Sequence, residues 1–237
     1  MKLGIIGLTN TGKTTLFNAL TKIGASTSAH LFSANKPNIG VVLVPDERLD
    51  KLSEIFKPKK TTPAFIEFVD IAGLVKGSVR GDGVGNKFLT YIREVDALVQ
   101  VVRCFNDENV AYVENNIDPI RDMESINLEL IISDLEAVEK RIEAIEKKVR
   151  NVDPREKIEA EILKKIREGL EEEKPARNIG LTENEIKQIK SLGLLTLKPV
   201  IYCANISEDD LGKSDQDSEM LLKMKDYAVK ELSLIHI

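Results

Sequence analysis

The sequence predicts an α/β fold: a mostly parallel sheet with helices on both faces, into which an antiparallel helical hairpin is inserted. Three observations carry this reading. Short runs rich in Ile and Val recur along the chain, and segments of helical character fall between them. One long stretch differs from both, being dense in charge and patterned in heptads.

The strands are expected at Leu3–Ile6, Gly40–Val44, Phe65–Val69, Ala97–Val102 and Val200–Cys203. Several of these runs are apolar throughout rather than alternating, the pattern of strands covered on both faces. Helices are expected at Thr14–Lys22, Asn86–Glu94 and Glu183–Leu192, with an amphipathic helix before Leu232. Strands alternating with helices give a doubly wound sheet.

Residues 121–170 hold 24 charged residues in 50 and no aromatic. Leu128, Ile131, Leu135, Val138, Ile142, Ile145 and Val149 follow a 3-4 spacing, the seam of a coiled coil. Asn151-Val152-Asp153-Pro154 breaks it, with Asp153 as N-cap, Pro154 at the first helical position and Glu156 completing a capping-box-like start. Ile158, Ile162, Ile166 and Leu170 then mark a second helix. Two helices joined by a short turn pair antiparallel, and the arm should project about 40 Å at 1.5 Å per residue.

Composition sets bounds on function. The 237 residues are 42% hydrophobic, enough for a core. Charge is 34 basic against 39 acidic, a net of −5, which excludes blanket polycationic binding of nucleic acid while allowing a local basic patch. Two cysteines and two histidines build neither a disulfide framework nor a zinc site. No apolar run approaches the roughly 18–20 residues of a membrane span. The N-terminal apolar run ends at Leu8, too short for a signal segment. A cytoplasmic location is expected.

Gly7-Leu8-Thr9-Asn10-Thr11-Gly12-Lys13-Thr14 reads GxxxxGK[ST], placed between an apolar strand and a helix, which is the context this phosphate-binding loop requires. Its glycines let the backbone wrap an anion, so the N–H groups from Asn10 through Thr11, Gly12, Lys13, Thr14 and Thr15 should face phosphate. Lys13 would reach the β- and γ-phosphates, and the Thr14 hydroxyl would sit on Mg²⁺. The Asp70-Ile71-Ala72-Gly73 string ends a strand, where an acid holds Mg²⁺ and a glycine N–H meets the γ-phosphate. Five of the 14 glycines lie at 73, 77, 81, 83 and 85, a stretch that could order around that phosphate. The fold expected is therefore a P-loop NTPase of the G-domain type. Asn205-Ile206-Ser207-Glu208 follows the Val200–Cys203 strand, where guanine-specific relatives read Asn-Lys-x-Asp. Glu208 is one methylene longer than Asp, and Ile206 replaces Lys, so the guanine fork is altered in a way that suits adenine or relaxed base choice.

These strings together resemble the YchF / Obg-like ATPase family of translation-factor-related P-loop NTPases. The likeness covers nearly the whole chain. It rests on Gly7–Thr15 with Leu16–Lys22, Pro37–Val42, Phe68–Lys76, Gly83–Phe88, Val101–Phe105 (VVRCF), Leu195–Pro199 (LTLKP) and Asn205–Glu208. The resemblance implies hydrolysis of ATP in preference to GTP, dependence on Mg²⁺, an inserted helical arm and a ribosome-associated role as a regulatory switch. It places residues 1–120 and 180–237 in the nucleotide-binding domain and 121–179 in the arm. Asn10 matches an asparagine that helps potassium-activated relatives hold K⁺ near the phosphates. Leu74 stands where Ras-like enzymes have a water-orienting Gln. Ala34 stands where many relatives have a Mg²⁺-binding Thr. Relatives continue into a TGS domain that this sequence does not contain, so the chain is read as a fragment. The partners expected are ATP or GTP and the ribosome with its RNA, with neither DNA nor membrane, for a chain acting as a monomer. The arm's turn, Lys147 to Lys157, carries five basic and two acidic residues, 5 − 2 = +3, a candidate contact for RNA phosphate. Lys57-Pro58-Lys59-Lys60 is a second basic cluster.

Overall fold

The computed structural model describes residues 1–24, 37–71, 84–107, 110–111, 116–148, 153–210, 212, 218–231 and 234–236. Six strands form one sheet in the order β2-β3-β1-β4-β5-β6. They are β1 (Lys2–Ile6), β2 (Asn38–Leu43), β3 (Phe65–Asp70), β4 (Ala97–Arg103), β5 (Val200–Asn205) and β6 (Leu234–His236). All pairs are parallel except β2 with β3. The mostly parallel sheet of the sequence reading is thus present, and each expected strand lies within a residue or two of its place.

Uniformly apolar strands put alternate residues on opposite faces, and both faces are covered. Ile6, Val69, Leu98, Val102 and Tyr202 lie on one face, under α3 (Val84–Arg93), the start of α4 (Pro119–Glu146) and α7 (Glu219–Lys230). Leu3, Ile5, Phe68, Val99 and Val101 lie on the other with Phe17, a fully buried side chain of α1 (Lys13–Thr21). Cys104 and Cys203 fall on opposite faces and are unbridged. Burial pushes the Cys104 thiol up to about 12 and raises that of Cys203 as well.

Two elements differ from the expectation of covered parallel strands. β2 is an antiparallel edge strand whose Ile39, Val41 and Leu43 stay exposed. After it, α2 (Glu47–Phe56), absent from the sequence reading, buries no residue. Its apolar residues Leu52, Ile55 and Phe56 face solvent.

Helix α4 is capped by Asp118, which accepts from the N–H groups of Ile120 and Arg121, with Pro119 at its first position. α5 (Pro154–Glu171) starts as the sequence suggested, with the Asp153 side chain accepting from Arg155 N–H at 2.8 Å. Ile131, Val138, Ile142 and Ile145 of α4 close against Ile162, Leu163, Ile166 and Leu170 of α5. Ile189 of α6 (Glu183–Ile189) and Leu194 join the same cluster. The seam begins at Ile131, not at Leu128, which is 40% exposed. The reason is that Met123, Ile126 and Leu130 belong to the core under the sheet. From Ile131 to Glu146 the arm extends about 24 Å at 1.5 Å per residue, shorter than the roughly 40 Å expected from counting the whole helix.

Two buried polar clusters root the arm. Asp134 of α4 accepts from Leu195 N–H and Thr196 N–H at 2.8 Å each and from the Thr196 hydroxyl at 2.7 Å. Asn127 of α4 donates to the Tyr227 hydroxyl of α7 at 3.0 Å and accepts from Arg177, which also binds Glu231 at 2.8 Å.

Candidate nucleotide and metal site

Parallel order brings the C-terminal ends of β1, β3, β4 and β5 to one edge, where α/β sheets bind ligands. β1 runs into the loop 7–12 and then into α1. β3 beside it ends in Asp70, in register with Ile5. β5 ends in Asn205.

The loop is held from several sides. Thr11, 1% exposed, donates its hydroxyl to the Leu8 carbonyl at 3.0 Å. Asn205 Nδ2 donates to the Thr11 carbonyl at 3.0 Å. Gly12 caps α1 with φ 97°, in the left-handed region, and a Cβ there would collide with the Asn205 amide. Glycine is required at this position for both reasons. Asn10 also takes a positive φ, 62°, and its Nδ2 donates to the Ala111 carbonyl at 3.0 Å.

Lys13 lies at the start of α1 and is 8% exposed, with Nζ on the Leu8 carbonyl at 2.5 Å. Burial pushes its pKa down to about 8, against the opposing pull of the Asp70 carboxylate nearby. Thr14 donates its hydroxyl to Asp70 Oδ2 at 2.8 Å. The other oxygen, Asp70 Oδ1, is buried and makes no hydrogen bond. A buried carboxylate oxygen without a donor is costly unless a cation or ligand meets it. Two hard oxygen donors, Thr14 and Asp70, suit Mg²⁺, which leaves its other positions to water and phosphate. The donor set therefore fits that metal. When bound, Mg²⁺ would neutralise phosphate charge there.

The remaining site residues divide. Thr15 lies on the exposed side of α1. Ile206 is half-buried against the core under the sheet, and Glu208 is exposed in a short 3-10 turn, Glu208–Asp210. Gly73, Leu74 and Ala34 lie outside the described residues. Lys13, Thr14 and Asp70 thus come together from positions up to 57 apart, and Asn205 touches the loop they share.

The sequence alone gives Arg103 no role beyond its place in the VVRCF string. It is 1% exposed at the end of β4. The signal for it was a lone arginine closing a strand that is otherwise nearly all apolar.

A family model described as a 50S ribosome-binding GTPase matches residues 2–158. The ribosome-binding ATPase YchF of Bacillus subtilis is 50% identical over 228 residues, covering 96% of this chain and 62% of that protein. The ribosome-binding ATPase YchF of Escherichia coli O157:H7 is 44% identical over 234 residues, covering 99% of this chain and 63% of that protein. Among solved structures, the Schizosaccharomyces pombe YchF GTPase matches with a TM-score of 0.78 at 40% identity, over 99% of this chain and 64% of that one. The chain spans a little under two thirds of the length of these relatives. With a P-loop, a strand-end aspartate and an Asn205 loop arranged as described, the chain belongs to the 50S ribosome-binding GTPase family, and the YchF proteins are among its homologues.

Proposed function

We propose that this chain is the catalytic part of a Mg²⁺-dependent ATPase that acts as a ribosome-associated switch. The observation that carries the reading is the Thr14–Asp70 pair at 2.8 Å, with Asp70 Oδ1 buried and unbonded beside Lys13. Thr14 and Asp70 hold Mg²⁺. Lys13 leaves the Leu8 carbonyl to pair with the β- and γ-phosphates. The N–H groups of Asn10 to Thr15 face the phosphates, and the Gly73 N–H meets the γ-phosphate. Asn10 is the residue placed to hold K⁺. Asn205, Ile206 and Glu208 form the base-contacting loop. Two aligned hydrogen bonds from guanine to a shorter Asp are the feature that Glu208 alters, and Ile206 packs on apolar neighbours where a lysine would need a polar one. ATP is therefore the preferred substrate and GTP a secondary one, although the S. pombe relative is described as a GTPase. The chain acts as a monomer in the cytoplasm, the compartment of the ribosome, where its unbridged thiols stay reduced.

Single-turnover hydrolysis of MgATP and MgGTP, with and without ribosomes, tests the reading. ATP should be used at least as well as GTP, ribosomes should accelerate turnover, and Asp70→Asn should slow it. Glu208→Asp with Ile206→Lys should shift preference toward GTP. A parent that binds GTP tenfold better, about 1.4 kcal/mol, refutes the base assignment. A Lys13→Ala variant hydrolysing at the parent rate refutes the P-loop assignment.

A further inference from the structure

β4 ends in a buried charge that is spread over the loop following it. Arg103 Nε donates to the Phe105 carbonyl, Nη2 to the Asp107 carbonyl and Nη1 to the Val110 carbonyl, each at 3.1 Å. The guanidinium also lies over the Phe105 ring, 4.6 Å from its centroid. A planar fork fixes three carbonyls in one arrangement, which a single ammonium cannot do. The next residue, Ala111, turns its carbonyl to the P-loop, where Asn10 donates to it at 3.0 Å across 101 residues of sequence. Asn10 is at φ 62°, a strained conformation for an L residue that asparagine tolerates better than most. A carbonyl only accepts, so the Asn10 carboxamide must turn its NH₂ toward Ala111 and its Oδ1 away from it.

We infer that Arg103 is a positioning residue for the phosphate loop. Through Ala111 it fixes the turn at Asn10 and the face that the Asn10 carboxamide presents to the nucleotide. Arg103 touches no phosphate in this role. Phe105, Asp107, Val110 and Ala111 thereby become an outer brace of the P-loop. The inference rests on the reading of Gly7–Thr14 as a nucleotide site.

A double-mutant cycle between Arg103→Lys and Asn10→Gly tests it, with MgADP affinity read by calorimetry and folding read by thermal denaturation. Glycine suits φ 62° better than asparagine. If Asn10 merely filled a left-handed turn, Asn10→Gly would therefore bind as tightly as the parent. The expected result is a fivefold to tenfold loss, roughly, for each single variant, with the double variant no weaker than the weaker-binding single. Losses that multiply in the double variant overturn the relay, because Arg103 would then act independently of Asn10. Parent-like affinity in Asn10→Gly overturns it as well, and that variant leaves the buried guanidinium untouched should Arg103→Lys fail to fold. A parent that binds no MgADP at all overturns the nucleotide reading, and the relay with it.

Discussion

At the scale of single residues, the proposed nucleotide chemistry turns on Lys13. Burial holds its pKa at about 8, below the ordinary 10.5. Between those values the folded chain binds fewer protons than the unfolded chain, so stability of the free protein rises with pH across that interval. Nucleotide acts in the opposite sense, since phosphate needs the ammonium form. Binding above pH 8 must therefore take up a proton, and apparent affinity for ADP should fall as pH rises through about 8. From pH 7.5 to 9.5 the loss should be roughly 20- to 30-fold, one proton's worth of linkage. Calorimetry in buffers of different ionisation enthalpy should register uptake approaching one proton at pH 9. A flat affinity profile to pH 9.5 would show that Lys13 is not desolvated in the free protein. Spacing alone placed Lys13, Thr14 and Asp70 in the sequence, because the motif encodes a strand–loop–helix turn and a neighbouring strand end. What spacing could not give was the burial of Lys13, the seat of Arg103 against the carbonyls of Phe105, Asp107 and Val110, or the exposed position of Glu208. These depend on packing between segments far apart in the chain.

At the scale of elements, legibility followed burial. β1, β3, β4 and β5 were readable because strands covered on both faces are apolar at most positions. α2 was missed although Leu49, Leu52, Ile55 and Phe56 fall at helical spacing behind the Asp46 cap. The orientation of β2 was hidden, since alternation says nothing of direction. The arm's seam was readable from Ile131 to Ile145 and again at Ile162, Ile166 and Leu170, whereas Val149 lies outside the described residues and Ile158, expected in the second stripe, is 48% exposed. The root of α4 was misread: Met123, Ile126 and Leu130 keep helical spacing while turning to a different partner. The polar anchor of the arm had no sequence signal either, because Asp134 and Thr196 lie 62 residues apart. Burial raises the Asp134 carboxyl even though three donors favour its charge. Truncation to Ala would leave two backbone N–H groups and one hydroxyl buried without an acceptor. At about 1–3 kcal/mol for each unsatisfied group, Asp134→Ala should destabilise the fold by about 3–5 kcal/mol. Urea unfolding gives the value, and an unchanged midpoint would mean that the Leu195–Leu197 turn is not held by Asp134.

At the scale of the whole molecule, α4 has its root in the sheet's core and from Ile131 onward pairs with α5 in a separate cluster. Asn127 near the root donates to Tyr202 of β5 at 3.4 Å, three residues before Asn205 reaches the phosphate loop. The turn carries the excess of +3 between Lys147 and Lys157, although residues 149–152 lie outside those described. Two of its lysines have acidic neighbours: Lys147 pairs with Glu143 at 3.1 Å, and Lys148 pairs with Glu156. In the Lys147–Glu143 pair the side chains are 76% and 64% exposed, whereas Glu156 opposite Lys148 is only 18% exposed, so the first pair is the more weakly held. A pair so exposed yields readily to a phosphate, whose contact releases counterions from the RNA. Reversing Lys147, Lys148 and Arg150 to Glu should therefore leave ATP hydrolysis by the free protein within about twofold of the parent, as expected for surface changes outside the site. The same reversal should weaken co-sedimentation with ribosomes and lower the slope of log affinity against log salt by about 2–3, roughly 0.7–0.9 for each of the three lost contacts. Helix content must stay constant for the comparison to hold, since Lys147→Glu sets a second acid one turn from Glu143 and costs a few tenths of a kcal/mol, roughly. Parent-like pelleting across the salt series would remove the arm's turn from the docking surface and direct attention to the exposed lysines at 57, 59 and 60.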